Sequence, residues 1–249
     1  MTDDFRLMTI LHIETSTNVC SAALSKNGVC LVEKVNFDGL SHATLLSPYI
    51  QEILNYAKNN NLTLDAVAVS CGPGSYTGLR IGVSTAKGLC FGFGVPLIAV
   101  NTLAILAVES QQSKANSSLT TYDFRPSAIL LCPMIDARRM EVYTALYDSD
   151  LREIRATSAE IITETSFADL LDTQQIVFFG NGAAKCRSTI THKNALFIEN
   201  IYPTAKNMIS LAEAQFAKKE FVDTAYFEPF YLKDFIATVP KNKVFTIKN

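Results

Sequence analysis

Two carboxylates, Glu14 and Asp136, each stand at the end of a short β-like run, 122 residues apart. Set in two lobes across a cleft, such a pair suits a magnesium–nucleotide site, where acidic groups hold a metal or its waters. The other reading is that each carboxylate caps its own turn. A second feature is Gly72-Pro-Gly-Ser-Tyr-Thr-Gly78-Leu-Arg80. No Lys-Ser/Thr follows the last glycine and the spacing is not G-x-G-x-x-G, so it is neither a P-loop nor a dinucleotide fingerprint. Its glycines permit unusual φ, and Ser75 or Thr77 can cap the helix that follows. Anion binding at that helix start is the alternative use. Along the same helix Ser75, Gly78, Gly82 and Ala86 fall nearly on one line, with Thr85 beside it. Glycine costs up to about 1 kcal/mol in a helix interior, and close packing against another backbone is the expected return. That backbone is either the helix beginning near Ser41 or a second protein. His12, His42 and His192 are scattered with no His-x-x-x-His or His-Glu-x-x-His, so no metal site is expected. His12 alternates into a strand and reads as structural. No Gly-x-Ser-x-Gly elbow supports a Ser–His hydrolase.

The elements that must place these residues occur twice. Thr9–Glu14, Val19–Ser25 and Val29–Phe37 read as strands, the last two joined by Lys26-Asn27-Gly28. A helix follows Ser41, with a stripe of Leu45, Leu46, Tyr49, Ile50, Ile53, Leu54 and Ala57. Then come a strand over Asp65–Cys71, a helix over Tyr76–Phe91, a strand over Leu97–Val100 and a helix from Asn101 to Ser113. After the polar linker Gln111–Ser118 the order returns. Strands are expected at Ala128–Ile135, Glu141–Tyr147 and Glu153–Ile162, then a helix at Ser166–Leu171 and a strand at Gln175–Phe179. A loop, a helix, a strand at Ala195–Ile198 and a helix at Thr204–Lys219 complete it. Each half spells βββαβαβα, and Ile13–Leu24 lies over Ile135–Leu146 at a constant offset of 122. This pattern indicates an internal duplication and mixed sheets with helices on both faces.

The chain of 249 residues has room for one large domain or two small ones. Twenty-two Lys+Arg against 24 Asp+Glu give −2, which excludes a chain that coats nucleic acid by bulk charge but not a local basic patch. Six widely spaced cysteines form no Cys-x-x-Cys and read as buried free thiols of a reducing compartment. The acidic Met1-Thr-Asp-Asp-Phe5 is unlike a secretory signal. Gly88–Val108 is an uncharged run of 21 residues, long enough to span a bilayer. It is broken by Gly92-Phe-Gly-Val-Pro96 and by Asn101-Thr102, so it is expected to be a buried helix end, a turn, a strand and a helix. The expected location is cytoplasmic, with no membrane partner.

Ile13-Glu-Thr-Ser-Thr17, His42 with Leu45-Leu46-Ser-Pro48, Cys71–Leu89, Ile135–Tyr143, Gly180-Asn-Gly182 and Tyr231-Leu-Lys233 together resemble the TsaB (YeaZ) family. That family is the partner of TsaD in threonylcarbamoyladenosine (t6A) modification of tRNA, and Gly72–Leu89 is the block it shares with TsaD. The resemblance implies an α/β fold of two tandem RNase-H-like lobes, in the superfold of actin-like ATPases, sugar kinases and Hsp70. Lobe 1–110 would carry the dimerisation helices. Lobe 120–249 would send its last helix back onto the first and end in a frayed tail at 235–249. TsaD carries a metal-binding His-x-x-x-His where this chain has Thr102 and Leu106, and neither replaces an imidazole ligand. Superfold ATPases place glycine after the second-lobe Asp, whereas Ala137-Arg138-Arg139 follows Asp136 here. These side chains argue against a normal phosphate site, although arginines can grip an anion. Glu14 stands for the commoner Asp.

The cleft of Glu14, Ser16, Asp136, Arg138, Gly180 and Gly182 is therefore expected to be vestigial. No catalytic residue, metal or tightly bound cofactor is expected, at most weak ATP/ADP or Mg at the subunit junction. The resemblance implies a non-catalytic subunit that pairs with TsaD, supports TsaE in a larger complex, forms homodimers when alone and meets tRNA only indirectly. TsaD would transfer threonylcarbamoyl to N6 of adenosine 37. The family dimerises through its first two helices, which assigns His42, Leu46, Ile50, Tyr76, Gly78, Leu79, Gly82, Val83 and Ala86 to the partner face. Leu46 and Ile50 equally suit the core. Gly82→Arg is then expected to abolish pairing and spare the fold. An active ATPase or small-molecule kinase of the superfold, and a protease, are the rival readings. The basic tail with Lys241, Lys243 and Lys248 reads as a tRNA-attracting extension or a frayed end.

Overall fold

Lys26-Asn27-Gly28 closes a hairpin because Asn27 and Gly28 adopt φ of 47° and 76°, the left-handed turn that suits twisted strands. A computed structural model describes residues 8–39, 41–116 and 129–232. In it β1 (Thr9–Glu14), β2 (Cys20–Lys26) and β3 (Val29–Asn36) form an antiparallel meander. After α1 (His42–Asn59), β4 (Ala66–Gly72) pairs parallel with β1. After α2 (Tyr76–Phe93), β5 (Leu97–Asn101) pairs parallel with β4. The sheet order is β3-β2-β1-β4-β5. β1 is buried along its whole length, which its Ile-Leu-His-Ile composition serves without alternation.

The second half repeats the scheme. α3 (Thr102–Asn116) leads to β6 (Ile129–Asp136), β7 (Glu141–Tyr147) and β8 (Glu153–Ile161), again antiparallel. α4 (Ala168–Leu171), β9 (Gln175–Phe179), α5 (Ala183–Cys186), β10 (Ala195–Phe197), a 3-10 turn (Lys206–Met208) and α6 (Ile209–Ala217) follow. β9 pairs parallel with β6 and β10 with β9, giving β10-β9-β6-β7-β8. The two sheets share one order and one set of strand directions, so the chain is a pair of RNase-H-like α/β lobes.

Each lobe lends a helix to the other. Leu103, Leu106 and Ala107 of α3 pack with Leu131, Ile135, Val177 and Phe179 of the second sheet. Met208 and Ala212 pack with Ile10, Ala66, Ala68 and Ile98 of the first. Polar groups follow the exchange: the Ala205 N–H donates to Ser21 Oγ at 2.9 Å, and Asn207 Nδ2 donates to Glu109 Oε2 at 2.6 Å.

Some boundaries differ from expectation for local reasons. Ser41 precedes α1 without capping it through its side chain; its hydroxyl lies 3.1 Å from Asn36 Oδ1 and is directed there instead. The last helix is shorter than Thr204–Lys219 because its first turn is wound as 3-10. Gly88–Val108 divides as foreseen: α2 ends at Gly94 in the left-handed conformation, and β5 and α3 follow. Among the described residues no helix is long and apolar enough to cross a membrane. The expected strand start at Ala128, part of the linker, Lys233 and the 235–249 tail lie outside the described residues.

Candidate functional site

The end of β1 and the start of α2 meet backbone to backbone. The Ser75 N–H donates to the Ser16 carbonyl at 2.6 Å, and Thr15 Oγ1 donates to the Gly78 carbonyl at 2.8 Å. A Cβ at Gly78 would overlap the Thr15 carbonyl oxygen, and one at Gly82 would overlap Thr15 Oγ1. Ser75 Oγ accepts the Gly78 N–H at 3.3 Å, which settles the capping residue in favour of Ser75. The small-residue strip therefore receives the chain's own first strand and turn, with His42 of α1 at its edge.

This corrects the interface assignment. His42, Leu46, Ile50, Gly78, Leu79, Gly82, Val83 and Ala86 are all buried within the chain, and Tyr76 alone is partly exposed. Leu46, Ile50, Val83 and Ala86 pack with Leu11, Ile13, Ala22 and Val69 in the first lobe's core. His42 Nε2 donates to the Thr17 carbonyl at 2.8 Å. Gly82→Arg would consequently break the fold, contrary to expectation. The outward face of α2 carries Arg80, Ser84, Gly88, Phe91 and Gly92. A Cβ at Gly88 or Gly92 would meet nothing within 4 Å, and Phe91 is 90% exposed. Residues 221–232 run along this helix. Lys87 Nζ donates to the Ala225 carbonyl at 2.9 Å, and Arg80 Nε donates to the Tyr231 hydroxyl at 3.2 Å while stacking on Tyr76.

The two carboxylates have different surroundings. Glu14 is fully buried; its Oε1 accepts the Ser16 N–H at 2.6 Å and its Oε2 has no hydrogen bond. Burial pushes its carboxyl up to about 7, and the nearby Ser16 and Ser70 groups pull it back only in part. The folded state therefore prefers the neutral acid. Stability is full below about 4.5 and falls as pH rises towards about 7, a loss on the order of 3 kcal/mol at 1.36 kcal/mol per unit. Glu14→Gln is expected to flatten this dependence. Urea unfolding of both proteins at several pH values across that window checks it, and parallel slopes would refute it.

Asp136 is half exposed and bound by Lys185 of α5, which also donates to the Glu141 carbonyl at 2.6 Å. Asp136 Oδ1 accepts the Arg138 N–H at 2.9 Å, and the Asp136 N–H donates to Asn181 Oδ1 at 3.0 Å. Gly180 and Gly182 lie against β6, where added Cβ atoms would come within 2.5 Å of the Met134 carbonyl oxygen and 2.9 Å of the Ile135 carbonyl carbon. Between the lobes lies a cleft of about 220 Å³ lined by Thr17, Asn18, Phe37, Leu106, Asn181 and Tyr202, among others. Phe37 and Tyr202 meet edge to face across it at 5.7 Å. Glu14, Ser16, Asp136, Arg138, Gly180 and Gly182 do not line it; Thr17 and Asn181, neighbours of theirs in sequence, do. Lys185 is the residue sequence reasoning missed, one turn beyond the Gly180-Asn-Gly182 signal.

These donors do not fit a magnesium–nucleotide group. One carboxylate is sealed beneath its own turn and the other already holds an ammonium. Among the described residues no three His, Cys, Asp or Glu side chains come together as metal ligands. Thr102 is buried, and Leu106 is a wall of the cleft. His12 Nε2 and Ser25 Oγ lie 2.8 Å apart, but both residues are fully buried and burial pushes the imidazole down to about 3. That pair is no hydrolytic centre. Burial pushes the Cys20 and Cys90 thiols up to about 11, which removes them as nucleophiles at neutral pH.

The family model described as "TsaD: tRNA N6-adenosine threonylcarbamoyltransferase" matches residues 39–241. The chain is 30% identical over 242 residues to the tRNA threonylcarbamoyladenosine biosynthesis protein TsaB of Escherichia coli K12, covering 92% of this chain and 96% of that one. Its counterpart in Haemophilus influenzae is 28% identical over 231 residues, covering 91% and 94%. The solved structure of YeaZ from Pseudomonas aeruginosa superposes with a TM-score of 0.72 at 26% identity, covering 91% of this chain and all of that one.

Proposed function

The chain belongs to the TsaB (YeaZ) family, and from that premise we propose that it serves tRNA threonylcarbamoyladenosine biosynthesis as a non-catalytic subunit that pairs with TsaD. The observation that carries the non-catalytic part is the state of the two carboxylates. Glu14 is withdrawn into the core and Asp136 is neutralised by Lys185, so no paired acids remain to hold a metal-bound nucleotide. The small cleft beside them supports the same reading, since pockets for ligands of nucleotide size run to roughly 300–1,000 Å³.

The pairing face is the outer side of α2 with the adjoining side of α1. Two exposed helical glycines, at up to about 1 kcal/mol each, have no intramolecular reason; close approach by another helix supplies one. In the assembly this chain holds TsaD in its working arrangement, and TsaE joins the pair. The same face serves a homodimer when TsaD is absent. Co-purification of the chain with TsaD, followed by t6A formation on unmodified tRNA with and without the chain, tests the proposal. A stable pair with activity only in its presence is expected. ATP turnover by the isolated chain at an enzymatic rate would overturn the non-catalytic reading, and failure to pair would overturn the partner.

A further inference from the structure

The connection between β6 and β7 holds two consecutive arginines in the left-handed conformation, Arg138 at φ 72° and Arg139 at φ 50°. Among the described residues this is the one pair of consecutive non-glycine residues with positive φ; the Asn27-Gly28 turn uses a glycine at its second position. Side chains beyond Asn, Asp and Gly adopt this region at a cost, on the order of 1 kcal/mol or more each. Asn-Gly would close such a turn without strain. The surrounding structure nevertheless fixes it. The Ala137 N–H donates to the Glu141 carbonyl and the Glu141 N–H to the Arg138 carbonyl, each at 3.1 Å. Asp136 Oδ1 accepts the Arg138 N–H, and Lys185 ties Asp136 to the Glu141 carbonyl from the other side.

The guanidinium groups held this way are exposed, and among the described residues neither forms an ion pair. The chain's other described arginines are all engaged: Arg80 with Tyr231, Arg152 with Asp150, Arg155 with Asp169 and Arg187 with Glu199. Two carboxylates lie near the turn. Asp136 is held by Lys185, and Glu141 stands at the start of β7 with a partner of its own. A rigid backbone that presents two adjacent free guanidinium groups is a fork for phosphate oxygens.

We infer that the Arg138–Arg139 turn is a direct RNA contact, gripping neighbouring phosphodiesters of a strand that runs over the rim of the inter-lobe cleft. Asn181, which accepts the Asp136 N–H, also lines that cleft, so the turn stands at its edge. Phe37 and Tyr202 meet edge to face across the cleft, so a phosphate carried by a surface strand suits its rim better than a base and sugar suit its interior. The identity of that RNA as tRNA rests on the proposed function; the site itself rests on the turn. Contact is then direct, rather than only through TsaD.

The test is binding of a labelled unmodified tRNA transcript to the full-length chain over a range of salt, without TsaD. Arg138→Asn/Arg139→Gly removes both charges and suits the backbone, so its melting temperature should not fall below wild type. Its affinity is expected to drop roughly tenfold near physiological salt, with a log–log salt dependence shallower by about 1.5, the share of two phosphates. Arg138→Lys/Arg139→Lys should keep the wild-type slope with weaker binding. Undiminished binding by the Asn-Gly variant, or no tRNA binding by the wild type, would overturn the inference. So would equal displacement of tRNA by ATP or by polyglutamate. Gel filtration with TsaD is read separately: RNA binding without pairing sinks the proposed partner and leaves the contact standing.

Discussion

Gly78→Ala is expected to lower the unfolding free energy by about 3 kcal/mol, at the upper end of what overpacking costs, with Gly82→Ala close behind. In a solvated helix the same change would stabilise by up to about 1 kcal/mol. The sign reverses here because the added methyl would meet fixed backbone. Its neighbour at Gly78 is the Thr15 carbonyl oxygen, on a turn that cannot retreat. Thr15 Oγ1 is bound to the Gly78 carbonyl and the Ser16 carbonyl to the Ser75 N–H, so moving the turn breaks hydrogen bonds inside the first lobe. At Gly82 the neighbour is the Thr15 hydroxyl, a single side-chain atom, which gives way more readily. Urea denaturation at pH 7 measures both, with Gly88→Ala as reference. A gain in stability at Gly78 equal to that at Gly88 would show that the strip is not filled from within.

The duplication was legible because a constant offset and a repeated strand–helix order recur in the sequence itself, and the two sheets share one strand order. A cap at Ser75 or Thr77 and a hairpin at Lys26-Asn27-Gly28 were legible because a few residues decide them locally, and the structure selects Ser75. The destination of the glycine strip was not. Gly78 and Gly82 announce that something comes close but not what, and the Ser41 helix or a second protein fitted the pattern as well as Thr15, which is 63 residues from Gly78 in sequence. Nor could residue type alone tell an exposed carboxylate from a sealed one. Glu14 and Asp136 occupy equivalent strand ends, yet their environments depend on Ser16 of the adjoining turn, Ser70 of β4 and Lys185 of α5. The free Arg138–Arg139 pair was visible as a departure from the superfold's glycine; its strained backbone was visible only in three dimensions.

Gly88→Arg is expected to weaken pairing with TsaD by at least about a hundredfold while changing the unfolding free energy by less than ~1 kcal/mol. The contrast with Gly82 follows from which side of α2 each residue occupies. Gly82 faces Thr15 and Val69, so an arginine there destroys the lobe and pairing is lost as a consequence of unfolding. Gly88 has no atom within 4 Å of its would-be Cβ, so an arginine there is tolerated by the chain and excludes only what approaches from outside. Arginine is also the better helix former, which offsets any local cost. Phe91, one turn on and 90% exposed, should behave as an anchor of the same surface, with Phe91→Ala reducing affinity without loss of stability. Calorimetric titration with TsaD and urea denaturation of each variant separate the two quantities. If Gly88→Arg pairs as tightly as wild type, the outer face of α2 is not the contact, and the two exposed glycines then have no role in assembly.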